Sequence, residues 1–223
     1  MNQEQALSLL KETKLVAILR GIPVKQATDI ATALYDGGVR VLEFTFDHDD
    51  PDCVAQNCQR IRAVKKIFGD EMVVGCGTAL TVQEVEASVE AGGQIVISPN
   101  VDVSVIAKTK ALGAISMPGA LTPTEIVMAY NAGADIVKLF PAGTLGVPYI
   151  KAVRGPLGYI PMSAVGGVRP ETIADFLNVG VCGFGVGGEL VKKEFVRSGD
   201  MNALTSRARK FVHAIEQWEA NRS

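Results

Sequence analysis

Histidine is scarce in this chain, with two in 223 residues. The four cysteines, Cys53, Cys58, Cys76 and Cys182, match no zinc spacing, so a structural metal site is not expected. Cys53 and Cys58 stand five apart on an expected helix and share a face poorly; all four read as reduced thiols of a cytoplasmic protein. A charge excess is also missing. With 22 basic against 24 acidic residues, net −2, nothing draws the chain toward nucleic acid or an anionic membrane. No apolar run reaches the roughly 18–20 residues of a membrane span. Met1-Asn2-Gln3-Glu4 does not open a basic segment followed by an apolar one, so a standard secretory signal is not expected. The dinucleotide fingerprint is incomplete as well: Gly75-Cys76-Gly77-Thr78 lacks the third glycine and an early acidic partner. What remains is an apolar chain, 48% hydrophobic, which is too apolar for disorder and long enough for a large core.

Short β-branched runs recur along it: Leu15–Leu19, Val41–Phe46, Met72–Val74, Gln94–Ser98, Ala114–Met117, Asp135–Phe140, Tyr159–Val165 and Cys182–Val186. Each is too short for a buried helix and is bounded by glycine or proline. Amphipathic stretches lie between them, as in Val24–Asp36, where Ala27, Ile30, Ala31 and Leu34 recur at helical steps. Thr81-Val82-Gln83-Glu84 and Thr122-Pro123-Thr124-Glu125 fit capping boxes at helix starts. Gly37-Gly38, Gly92-Gly93, Gly133 and Gly180 mark helix ends. A further helix is expected over Gln3–Lys14 and a long terminal one over Asn202–Ala220. Strand and helix alternate with compact loops, at roughly 20–30 residues per unit, which favours a (β/α)8 TIM barrel over an open doubly wound α/β sheet. No linker divides residues 1–223, which read as a single barrel domain.

Catalytic groups in such a barrel come from the C-terminal ends of its strands. Lys138 interrupts Ile136-Val137-Lys138-Leu139-Phe140, an otherwise apolar strand. The plainer reading is a lysine paired with a carboxylate or reaching the barrel mouth. The functional one is an amine whose pKa is depressed by apolar surroundings, free to attack a ketone and form a Schiff base. Glu43 interrupts Val41–Phe46 in the same way and would move the protons that such chemistry requires. A structural ion pair between the two gives the same signal. Arg20 ends the first strand and Thr78 the third, where they would offer an anion fork and a hydroxyl. Gly166-Gly167 and Gly187-Gly188 follow the last two strands, the recurring phosphate loops of this architecture. Glu189, next to the second pair, must point away from any phosphate there.

Several segments stand together in order and spacing: Val16–Gly21, Gly37–Glu43, Gly75–Thr78, Ile97–Asn100, Pro118-Gly119, Val137–Ala142 and Ala164–Val168. Together they resemble the 2-keto-3-deoxy-6-phosphogluconate / 4-hydroxy-2-oxoglutarate (KDPG/KHG) aldolases over roughly residues 5–215. The resemblance implies a class I aldolase without cofactor or metal, usually a homotrimer, cleaving a phosphorylated 2-keto-3-deoxy sugar acid to pyruvate and an aldehyde. It implies Lys138 as the Schiff-base lysine, Glu43 as general acid/base, and Arg20, Thr78, Pro99 and Val165 as substrate-binding residues. The glycines Gly166, Gly167, Gly187 and Gly188 would bind phosphate.

Two positions depart from the family pattern. Some members carry an arginine for the substrate carboxylate four residues after the glutamate, where this chain has Asp47. Many gluconate-type members have threonine where this chain has Val165; valine is similar to the 2-dehydro-3-deoxy-6-phosphogalactonate branch. The expected substrate is still the gluconate acid, with the galactonate epimer and 4-hydroxy-2-oxoglutarate as alternatives. Asp47-His48-Asp49-Asp50 also raises a metal-dependent aldolase, although such a run more often forms a solvated loop and helix cap. A phosphosugar-binding barrel of another activity, or one without catalysis, is the remaining alternative.

Overall fold

The computed structural model describes residues 1–222. Its strands are β1 (Leu15–Leu19), β2 (Val41–Thr45), β3 (Val73–Gly77), β4 (Ile95–Ile97), β5 (Ile115–Met117), β6 (Gly119–Ala120), β7 (Val137–Leu139), β8 (Met162–Val165) and β9 (Gly183–Val186). Helix α1 (Gln3–Thr13) precedes them. Helices α2 (Ala27–Asp36), α3 (Cys53–Phe68), α4 (Val82–Glu90), α5 (Val103–Ala111), α6 (Pro123–Asn131), α7 (Ala142–Leu157) and α8 (Ile173–Asn178) connect them, and α9 (Lys193–Ser198) and α10 (Met201–Ala220) follow.

All pairings are parallel, in the order β5-β4-β3-β2-β1-β9-β8-β7-β6. β5 and β6 are two pieces of one strand. β5 bonds to β4 and β6 to β7, and Pro118 between them has no N–H to continue the ladder. The Lys138 N–H donates to the Pro118 carbonyl at 2.9 Å, which carries the ring across the break. The eight expected strands are all present, and the ninth is half of the fifth. This is the (β/α)8 barrel.

Strand alternation sorts the side chains into two layers. Leu15, Ala17, Leu19, Leu42 and Phe44 face the helices. Val16, Val41, Val73, Ile95, Ile115 and Ile136 fill the barrel interior, joined by Ala6 and Leu10 of α1. One end of the interior is thus apolar and packed by α1, and polar groups are left to the other end. The capping boxes at Thr81 and Thr122 form as expected, each reciprocated by a glutamate three residues on. Gly38, Gly92, Gly133 and Gly180 close their helices with positive φ.

Several boundaries differ from expectation. The Val24–Asp36 stretch begins with a 3-10 turn, Val24–Gln26, and becomes α-helical at Ala27. The strand expected over Met72–Val74 begins at Val73 and runs on through Gly75 to Gly77. Asp135 leaves its strand to accept from the Ser116 N–H and pair with Lys110. Tyr159 lies outside β8 and is exposed, with Pro161 standing before the strand. Helix α9 has no counterpart among the expected elements.

Candidate active site

The C-terminal ends of the strands enclose a cavity of about 470 Å³. Every site residue named from the sequence lines it: Arg20, Glu43, Thr78, Pro99, Lys138, Val165 and both glycine pairs. The chain brings them together from seven strands. Glu43 projects inward from the middle of β2, in register with Ile18 and Gly75. Lys138 occupies the middle of β7, in register with Gly119 and Ser163. Arg20 follows β1, Thr78 follows β3, Pro99 lies just past β4, and Val165 ends β8.

Thr78 has φ of 59°, left-handed backbone that a β-branched residue avoids. Holding it there costs roughly 1–3 kcal/mol, which the surrounding packing must sustain. Gly166 and Gly167 are both left-handed as well, at φ 89° and 72°, so this turn requires glycine. Gly187 and Gly188 are not left-handed, and a Cβ on Gly188 would meet open space. The second pair thus satisfies no strained turn, and Gly188 leaves room above the backbone.

Glu43 is 1% exposed, and its Oε2 accepts no hydrogen bond among the described residues. Burial pushes its carboxyl up to about 7, against the opposing pull of Lys138 and Arg20. Lys138 is 7% exposed, and burial holds its amine below the usual lysine range; Glu43 raises it and Arg20 lowers it further. No hydrogen bond or ion pair joins the two side chains among the described residues, so the plainer ion-pair reading does not describe them. The site holds a buried amine and a buried acid that both titrate toward neutrality.

Two contributors escape the sequence reading. Phe140 sets its ring 5.0 Å from the Lys138 Nζ, and the two-residue alternation along β7 could have placed it there. Gly77 is less visible. A Cβ built on it would stand 1.5 Å from Glu43 Oε2, so the absent side chain is the space the carboxylate occupies.

The Asp47–Asp50 loop turns elsewhere. His48 Nε2 lies 2.7 Å from Glu84 Oε1, and Asp50 accepts from Gln56 Nε2 and from the Asp52 backbone N–H, each at 2.9 Å. Asp47 lines a separate hollow of about 250 Å³ with Arg60, so its charge does not border the main cavity. No cluster of three or more His, Cys, Asp and Glu suited to a metal occurs among the described residues.

Comparison with known proteins identifies the family. The sequence model of the family described as "Aldolase: KDPG and KHG aldolase" matches residues 7–207. A probable 2-dehydro-3-deoxy-6-phosphogalactonate aldolase of Rhizobium meliloti (strain 1021) is 37% identical over 182 residues, 81% of this chain and 83% of its own. The KHG/KDPG aldolase of Escherichia coli (strain K12) is 32% identical over 216 residues, 95% of this chain and 96% of its own. A solved structure described as native KDPGal superposes with TM-score 0.84 at 33% identity, covering 92% of this chain and 96% of that one. With a buried lysine and acid at the mouth of a closed barrel, and a family match across nearly its whole length, this chain belongs to the KDPG and KHG aldolases, a family of carbon–carbon lyases.

Proposed function

We propose that the chain is a Schiff-base aldolase that cleaves 2-keto-3-deoxy-6-phospho sugar acids to pyruvate and glyceraldehyde 3-phosphate, accepting the gluconate and galactonate epimers. The observation that carries the reading is the unpaired Lys138–Glu43 couple, with both groups shifted toward neutrality by burial. The neutral Lys138 amine attacks C2 of the substrate. Protonated Glu43 gives its proton to the departing carbinolamine hydroxyl, which leaves as water and yields the iminium. Glu43, now a carboxylate, takes the C4 hydroxyl proton, directly or through water. The C3–C4 electron pair moves into the iminium, releasing the aldehyde and leaving an enamine. Protonation at C3 and hydrolysis return pyruvate and free Lys138.

The rest of the cavity supports the assignment of parts. Thr78 and Arg20 face the pyruvate end, and the glycine pairs face the phosphate. Two epimers are proposed because Val165 offers no hydrogen bond, and because relatives named for each epimer align with this chain. We read the assembly as a homotrimer in the cytoplasm, working without cofactor or metal. Among the described residues no helix is long and apolar enough to cross a membrane, and all four cysteines are free.

Reductive trapping tests the reading. Pyruvate with borohydride should leave a covalent adduct on Lys138, and Lys138→Ala should abolish both adduct and turnover while keeping the fold by circular dichroism. A trapped adduct elsewhere, or turnover sensitive to a chelator, would replace this mechanism.

A further inference from the structure

The cavity wall carries three more charges: Arg20, Glu189 and Lys193. Arg20 belongs to the reacting centre, since its charge acts on both Glu43 and Lys138. Glu189 follows Gly187-Gly188 and would repel an anion bound there. Its carboxylate is drawn toward α10, where Oε2 lies 3.5 Å from an Arg207 guanidinium nitrogen; the Arg207 Nε donates to the Glu189 carbonyl at 2.8 Å. Lys193, on the first turn of α9, is exposed and makes no hydrogen bond or ion pair among the described residues. Its charge acts on neither Glu43 nor Lys138, so it stands apart from the reacting centre. Backbone N–H groups of glycine turns supply dipoles but no formal charge to a dianion. With Lys138 committed to covalent chemistry and Arg20 to the centre, Lys193 is the cation left on the cavity wall.

We propose that Lys193 is the side-chain cation of the phosphate subsite, holding the phosphoryl group over Gly166-Gly167 and Gly187-Gly188 and offsetting the nearby Glu189. This rests on the aldolase reading and adds to it the residue that would make the enzyme prefer phosphorylated substrates. A charge-assisted bond to phosphate is broken by Lys193→Met and largely kept by Lys193→Arg.

Two measurements on the full chain test it. The first is calorimetric titration with inorganic phosphate. The second compares KM for 2-keto-3-deoxy-6-phosphogalactonate with the half-saturating pyruvate concentration for borohydride inactivation. Lys193→Met should weaken phosphate binding and raise KM by about tenfold, and raise the pyruvate requirement by much less. Lys193→Arg should recover most of the loss, and the difference should shrink as salt rises. Lys192→Met, a neighbouring lysine outside the cavity lining, serves as control and should match the wild type. Unchanged phosphate binding in Lys193→Met, or an equal loss for pyruvate, overturns the proposal. Phosphate binding that depends on Lys193 in a chain that traps no pyruvate would instead keep the subsite and overturn the aldolase mechanism.

Discussion

At the scale of single residues, Glu43 sets activity against stability. Unfolded, its carboxyl titrates near the ordinary glutamate value of 4.5; folded, burial pushes it up to about 7. Between those values the folded chain holds a proton that the unfolded chain has released. Stability therefore falls as pH rises through this window, and the full cost, on the order of 3 kcal/mol, applies above it. Glu43→Gln removes the ionisation. Urea unfolding should show a gain of ~1–3 kcal/mol at about pH 8 and little change at about pH 4. Turnover in the same variant should fall by ~10²–10⁴-fold, as for loss of a positioned proton-transfer group. A variant no more stable than wild type at the higher pH would show that the acid is not held neutral. Val165 is expected to act on selectivity rather than on rate. A valine cannot pair one configuration of a substrate hydroxyl and leave the other unpaired, so the two C4 epimers should differ within about tenfold in kcat/KM. Val165→Thr should move preference toward the gluconate epimer by ~0.5–1.5 kcal/mol, the contribution of one hydrogen bond. A thousandfold preference for gluconate in the wild type would dissociate this position from stereochemistry.

At the scale of the strand, β3 explains how the acid fits. Gly75 lets the Ile95 carbonyl approach where a Cβ would stand 1.8 Å away, and Gly77 leaves the volume filled by the Glu43 carboxylate. Gly77→Ala should displace that carboxylate, destabilising the fold by ~1–3 kcal/mol through overpacking and depressing turnover toward the level of Glu43→Gln. A rate near wild type in Gly77→Ala would mean that Glu43 acts from another position. The sequence hides this relation, because a glycine's role here is defined by a neighbouring strand that only the register supplies. Lys138 and Glu43 were legible for the opposite reason: a charge inside an apolar β-branched run stands out without any knowledge of its neighbours. Helix α9 left no trace, since Lys193–Ser198 is short, buries none of its residues and carries no capping side chain. The break at Pro118 was legible as a strand end, but its meaning, one strand serving two partners, appears only in the pairing. Asp47 stood out as a charge conflict, and the loop resolves it by turning the residue toward a different hollow.

At the scale of the whole molecule, the barrel mouth is asymmetric. Large exposed apolar side chains follow four neighbouring strands: Leu80 after β3, Val103 after β4, Leu121 after β6 and Phe140 after β7. That arc suits burial against another copy of the chain, in line with the proposed trimer. Sedimentation should give a species of three chains, and Val103→Glu with Leu121→Glu should shift it toward one. A wild type that sediments as a single chain would leave the arc to some other partner. The ring itself has a bearing on how the protein comes to exist. Leu15 of β1 finds its neighbour at Phe184 of β9, near the far end of the chain. A ribosome adding roughly 5–20 residues per second delivers that neighbour some ten to thirty seconds after β1 has emerged. Throughout that interval the nascent sheet shows one flank of free N–H and C=O groups to any strand nearby, including those of other growing chains. Synthesis speed and chaperone supply thus bear on yield, and a chain cut short before Gly183 would keep that flank bare for its whole lifetime.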